Sequence, residues 1–209
     1  MYMTRVFLRS NPSPSVTHGI LSSAFPGVRN SQANEGLWRI DSLGDSRVLI
    51  IVSKKTPDLA LIADRIGLSK LRPFETTDGA KLDKTLDYEP FIAQIESNQI
   101  WNFRLCANPI EHKKKSPDDK RGKIFALRTI EEQIEWVMKQ GAKYGFRLKG
   151  CSIIGDSWIS FNKVRIRSVT YDGVLEVIDA DAFRTALTQG IGRGKAYGCG
   201  LLTVARIKT

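Results

Sequence analysis

Short apolar runs alternate with polar, turn-rich stretches along most of the chain, and only a few segments carry helical spacing. The first run is Tyr2–Leu8, ending in Val6, Phe7 and Leu8. Ser10-Asn11-Pro12-Ser13-Pro14 then breaks it, and Pro14 suits a first helical position with Ser13 as its cap. The predicted helix runs to Ala24 and stops before Pro26-Gly27. Two strands follow, Gly36–Asp41 and Arg47–Ser53, joined into a hairpin by the turn Leu43-Gly44-Asp45-Ser46. Pro57 opens a second helix through Ile66, and a strand near Leu86–Ile95 closes a β-α-β-β-α-β unit, the ferredoxin-like order.

The second half repeats the pattern with an extra strand. Ile100–Ile110 reads as a strand, and Thr129–Gly141 as a helix with Ile130, Ile134, Val137 and Met138 on one face. Phe146–Ile154, Trp158–Thr170 and Val174–Ile178 read as strands. Asp179 caps a helix over Ala180–Gln189, and Leu201–Ile207 is the last strand. The fold class predicted is α+β, two tandem ferredoxin-like (RRM-like) domains over residues 1–96 and 97–209.

Composition agrees with a globular chain of 209 residues with 42% apolar positions. No apolar run has the roughly 18 residues that a membrane helix needs, and the N-terminus lacks a secretory signal pattern. A cytoplasmic protein is the expectation. Cys106, Cys151 and Cys199 are far apart with no CxxC pair, and His18 and His112 are the two histidines. That spacing supports neither a zinc site nor a disulfide framework, and three small buried side chains are expected. No cofactor is expected.

Charge changes the picture more. Residues 1–100 carry 12 Lys/Arg against 11 Asp/Glu, whereas residues 101–209 carry 20 against 11. A near-neutral half joined to a strongly basic one points to a polyanion held by the second half. Within it, six of the twelve residues from His112 to Lys123 are Lys or Arg, Lys113, Lys114 and Lys115 among them. That segment is either a solvated loop or an arm that orders on phosphates.

Two constellations carry candidate chemistry. Gly190-Ile191-Gly192-Arg193-Gly194-Lys195-Ala196-Tyr197-Gly198-Cys199-Gly200 is neither a Walker A loop nor GxGxxG, and it follows a helix where both fingerprints follow a strand. Its glycine pairs let backbone N–H groups approach an extended anion beside Arg193 and Lys195. A bulged strand entry is the other reading. The second constellation is His18: on a helical wheel Val16, Ile20, Leu21 and Ala24 share a predicted buried face, and His18 and Ser15 fall opposite. An exposed imidazole is either incidental or available for proton transfer near neutrality. RNA scission by the 2′-hydroxyl needs one base, one acid and positive charge against the developing phosphorane, and no metal.

The strand MYMTRVFL, the strand FRLCANPI, the helix EEQIEWVMKQ and the tail QGIGRGKAYGCGLLTV together resemble the type I-E CRISPR-associated endoribonucleases, the CasE family. The likeness spans the whole chain, and the glycine pairs flanking five residues are its most specific part. It implies two tandem ferredoxin-like domains that cut the repeat hairpin of precursor crRNA at the 3′ base of its stem. The implied products are 5′-hydroxyl and 2′,3′-cyclic phosphate ends, and the implied partners are the crRNA and other Cascade subunits, with no membrane.

The resemblance makes His18 the catalytic residue. Family members often carry Tyr three residues earlier, where this chain has Ser15, a poor charge stabiliser. The second role then falls to Lys163, Arg165 or a residue of the glycine loop. A basic strand or hairpin in the major groove of the stem is also implied, with Lys149, Lys163, Arg165 and Arg167 as candidates. The rival classes are a non-catalytic RNA binder with two RRM-like domains, for which Phe146 and Trp158 would be weak stacking residues, and a nucleotide-using enzyme.

Overall fold

The computed structural model describes residues 1–25, 36–68, 83–113, 122–161 and 164–207. The chain forms two compact units, one of Met1–Gln94 with Lys195–Leu201 and one of Ile95–Gly194 with Leu202–Thr209.

The first unit runs β1 (Tyr2–Leu8), α1 (Pro14–Ala24), β2 (Leu37–Leu43), β3 (Ser46–Ser53), α2 (Leu59–Ile66), β4 (Lys84–Asp87) and α3 (Glu89–Ala93). Its antiparallel sheet has the order β2-β3-β1-β4. Alternation along β3 sends Leu49 and Ile51 to one face, against Val6, Leu8, Leu21, Ala24, Trp38 and Ile62. Val52 packs on the other face with Leu37, Tyr88, Ile92 and Leu201. Both faces are therefore covered, which explains why β3 is apolar throughout rather than alternating.

Two expectations are corrected here. The stretch predicted as a strand near Leu86–Ile95 pairs with β1 only as far as Asp87, and Pro90 then lies in the first turn of α3. The Asp87 carboxylate accepts the Glu89 N–H at 3.0 Å, which starts that helix. On α1 the buried stripe is Thr17, Leu21 and Ala24, while Val16 is 51% exposed. Thr17 is tolerated inside because its hydroxyl donates to the Ser13 carbonyl at 3.1 Å.

The second unit runs β5 (Ile100–Ala107), β6 (Ile110–Lys113), β7 (Lys123–Ala126), α4 (Ile130–Lys143), β8 (Phe146–Phe161), β9 (Val164–Val177), α5 (Ala180–Gln189) and β10 (Leu202–Arg206). Its main sheet has the order β10-β5-β9-β8, and β6 and β7 pair as a separate hairpin. Both units are thus ferredoxin-like, with the β6–β7 hairpin added to the second.

The three strands predicted over 146–178 are two long ones. Register shifts at Leu148/Gly150 and Ile153/Gly155 absorb the breaks in the pattern. At Gly173 a Cβ would lie 2.1 Å from the Gly150 carbonyl oxygen, so the glycine marks a close backbone approach rather than a turn. The helix predicted from Thr129 is present, with Thr129 and Glu132 forming a capping box. Its buried residues are Gln133, Trp136, Val137 and Gly141, whereas Ile130 and Met138 are exposed. The stripe turns this way because Trp136 stacks on the buried Tyr171 at 6.3 Å, and the Gln133 amide reaches the Leu127 carbonyl at 3.3 Å. Cys106 and Cys199 are buried as expected, but Cys151 on β8 is only half-buried.

Candidate catalytic helix and nucleic-acid interface

Helix α1 starts where the Ser13 hydroxyl accepts the Val16 N–H at 3.4 Å and Pro14 occupies the first turn. This start fixes the phase of the helix and turns His18 to solvent. Ser15 lies one turn before it, half-buried, and its Oγ is 3.1 Å from that of Ser13.

The glycine-rich string divides between the two units. Gly190, Gly192, Arg193 and Gly194 belong to the second, where Asn108 and Arg193 form an isolated antiparallel bridge. Lys195–Leu201 belongs to the first unit, and its 3₁₀ turn, Lys195–Tyr197, packs on α1 and β2. Gly190, Gly192, Gly194, Gly198 and Gly200 all have φ between +74° and +96°, a region that L side chains avoid. Gly198 also rests on the indole of Trp38, where a Cβ would come to 2.8 Å. Arg39 ties the same segment down. Its Nη1 donates to the Leu201 carbonyl at 2.9 Å, while Nε and Nη2 hold Asp41 at 2.6 and 2.8 Å. Lys195 is half-buried in this setting, and desolvation pushes its ammonium below the ordinary lysine range.

In the second unit β9 pairs with β5 only from Glu176 to Val169. Beyond that point Val164–Ser168 pairs with β8 alone, as a two-stranded ribbon past the sheet. In this register Trp158 faces Arg167 and Ser160 faces Arg165, so these four share one side of the ribbon. Arg165 is exposed and its guanidinium carbon lies 4.4 Å from the Trp158 ring centre, with that of Arg167 at 5.2 Å.

The other candidates separate by their partners. Arg167 is clamped by Asp156, with Nε–Oδ1 and Nη2–Oδ2 both at 2.5 Å, and this pairing holds the carboxyl below its usual range. Lys149 approaches Glu176 at 3.5 Å, a carboxylate that Arg147 already binds at 2.7 Å. Lys113 pairs with Glu111 at 2.6 Å. Lys114, Lys115 and Lys163 lie outside the described residues. Phe146 is buried against Phe183, with ring centres 5.8 Å apart, and presents no surface for a base to stack on.

Sequence reasoning missed the Asp156–Arg167 clamp and the assignment of Lys195 to the unit that carries α1. The first had a signal: Asp156, Trp158 and Ser160 alternate, as Arg165 and Arg167 do, which puts them on shared strand faces. The second had none, because the sequence of the glycine string does not reveal which sheet it lies on.

A family model described as CRISPR associated protein matches residues 1–206. The CRISPR-associated endoribonuclease Cse3 of Thermus thermophilus is 26% identical over 97% of this chain and 94% of its own. The CRISPR system Cascade subunit CasE of Escherichia coli is 33% identical over 83% of this chain and 90% of its own. Among solved structures, Thermus thermophilus Cse3 bound to an RNA representing a pre-cleavage complex superposes with a TM-score of 0.71, at 26% identity over 99% of this chain and all of that one.

Proposed function

The chain belongs to the CRISPR-associated protein family, and from that membership we propose that it is the endoribonuclease that processes precursor crRNA and stays with the product in a Cascade complex. It binds the repeat stem-loop and cuts at the 3′ base of the stem, leaving 5′-hydroxyl and 2′,3′-cyclic phosphate ends. The observation that carries this reading is a solvent-facing His18 on α1, capped by Ser13, in a chain that matches an RNA-bound endoribonuclease over its whole length.

The chemistry follows from few parts. The 2′-hydroxyl is the nucleophile and belongs to the substrate, so the reaction needs proton transfer and charge stabilisation but no metal. His18 moves a proton between its imidazole and the reacting oxygens. Ser15 lacks the acidity to serve as its partner. Lys195 takes that role instead, offering a positive charge on the unit that carries α1, and its desolvation strengthens its attraction for the phosphorane oxygens. At saturating RNA, Lys195→Ala lowers the single-turnover cleavage rate by about 10²-fold, and an unchanged rate removes Lys195 from the chemistry.

The domains divide the labour: the unit carrying α1 supplies the catalytic histidine, and the basic second unit holds the RNA. The ribbon of β8 and β9 enters the major groove near a stem end, where the A-form groove is open enough for side chains. Arg165 supplies positive charge there, Lys163, Lys149 and Arg193 add to the charge of the same unit, and Lys113, Lys114 and Lys115 contact phosphates. None of the helices among the described residues is long and apolar enough to cross a membrane, and the cytoplasm is the compartment this role implies.

Incubating the protein with an end-labelled repeat hairpin in EDTA tests the reading. A single cut at the 3′ base of the stem is the expected result. Intact RNA after prolonged incubation, with tight binding retained, would leave a passive RNA-binding protein.

A further inference from the structure

Scission by the 2′-hydroxyl moves two protons, and α1 carries one imidazole. The 2′-oxygen loses a proton as its bond to phosphorus forms. The 5′-oxygen needs one as its own bond to phosphorus breaks, because an alkoxide leaves poorly. Lys195 acts through its charge and Ser15 is too weak an acid, so one of the two transfers lacks a partner. The leaving oxygen calls for a group that is still protonated at neutral pH yet more acidic than an alcohol. A phenol meets both conditions, with an ordinary pKa of about 10.

The chain has five tyrosines. Tyr144 and Tyr171 belong to the second unit. Tyr88 lies in the first, but it is buried and its hydroxyl is shut in without a partner. Tyr2 sits in the sheet between Ser53 and Asp87. Tyr197 remains, and it ends the 3₁₀ turn that packs on α1. It is half-buried, and its hydroxyl bonds to none of the described residues and is not itself buried, so it meets solvent. The turn is held at both ends. Gly194 and Gly198 flank it with φ of +86° and +83°, and the Gly198 N–H donates to the Lys195 carbonyl at 3.2 Å. Trp38 supports Gly198, and Arg39 holds Leu201 three residues on. Such a frame matters more to a proton donor, which works within hydrogen-bond reach, than to a charge, which acts at a distance.

We propose that Tyr197 is a further catalytic residue, the general acid that protonates the 5′-oxygen as it leaves. This rests on the endoribonuclease reading and completes its inventory of protons. His18 takes the proton of the 2′-hydroxyl, the bond from the 2′-oxygen to phosphorus forms, and the bond from phosphorus to the 5′-oxygen breaks. The phenol gives its proton to the departing oxygen and becomes a phenolate. Water then carries a proton from the imidazolium to the phenolate, and both groups are restored. Lys195, two residues earlier on the same turn, keeps its charge throughout and faces the phosphorane oxygens.

The test compares two repeat hairpins in single-turnover reactions of the full-length protein in EDTA. One is all-oxygen, and the other has sulfur in place of the 5′-oxygen at the scissile linkage. A thiolate leaves without being protonated, because a thiol is far more acidic than an alcohol. Tyr197→Phe cuts the all-oxygen hairpin about 10²-fold more slowly than the wild type, with its affinity unchanged. On the sulfur hairpin that gap closes, whereas His18→Ala stays defective on both, since the 2′-hydroxyl must still lose its proton. Phenylalanine keeps the ring that fills the packing, and running both hairpins on one preparation cancels any loss of folded protein. The proposal is overturned if Tyr197→Phe cuts the all-oxygen hairpin at the wild-type rate. It is equally overturned if the defect is the same on both hairpins, the mark of a residue that only shapes the turn. A wild type that cuts neither hairpin would instead refute the endoribonuclease reading itself.

Discussion

His18→Ala abolishes cleavage of the repeat hairpin while leaving its affinity nearly unchanged. A positioned general acid or base contributes about 10²–10⁴-fold to a rate, and no other histidine lies on α1 to replace His18. Affinity is spared because His18 is exposed and adds no packing to the core of its unit, which is built from Leu21, Ala24 and their neighbours. Single-turnover rates and filter binding on the same preparation separate the two quantities. Parallel loss of binding and cleavage would make His18 a binding residue, and an unaltered rate would make it incidental.

Asp41→Ala has the largest expected effect on stability. Arg39 is 3% exposed, and Asp41 supplies the carboxylate that accepts two of its donors. Removing one partner of such a pair strands a buried guanidinium, which costs about 3 kcal/mol or more, read as a lower midpoint in equilibrium urea unfolding. Replacing both partners with apolar residues, Arg39→Met with Asp41→Leu, regains most of that loss, because the penalty comes from the stranded charge and not from the missing attraction. An unchanged midpoint for Asp41→Ala would show that water reaches Arg39. The effect also extends to the site. Arg39 donates to the Leu201 carbonyl, so a loosened Arg39 releases the segment that carries Lys195, and cleavage slows even where the fold survives.

Much of the fold was legible in the residues. Ser13-Pro14, Thr129 with Glu132, and Asp179 each announce a helix start through local chemistry, and all three helices begin there. The glycine pairs of residues 190–200 likewise announce positive φ. Errors came where tertiary contacts overrode a local signal. The predicted strand breaks between Ile154 and Trp158, yet pairing with β9 continues β8 across the gap, with a register shift at Ile153/Gly155. The predicted strands break again between Thr170 and Val174, but β9 runs through, and Gly173 is there for the Gly150 backbone to approach. On α1 and α4 the helical period was right and its phase was off. Thr17 is polar by type, yet buried because its hydroxyl donates to the Ser13 carbonyl, and Gln133 is held inside by its Nε2, which donates to the Leu127 carbonyl and to Asp156.

The candidate site was legible in its parts and not in their grouping. His18 on the outer side of α1 follows from spacing alone. Arg165 and Arg167 are alike in sequence and differ only through Asp156, which sits eleven residues before Arg167 and meets it across a hairpin. Such long-range choices depend on register, and register is set by the whole sheet.

The central claim is that the protein activates the RNA's own 2′-hydroxyl at one backbone linkage. The most direct measurement uses a repeat hairpin with a single 2′-deoxy nucleotide on the 5′ side of the scissile phosphate, incubated with wild-type protein in EDTA. The account predicts binding equal to that of the all-ribose hairpin and no cut at that linkage. Cleavage of the deoxy hairpin there, or 3′-hydroxyl and 5′-phosphate ends on the all-ribose one, would contradict it.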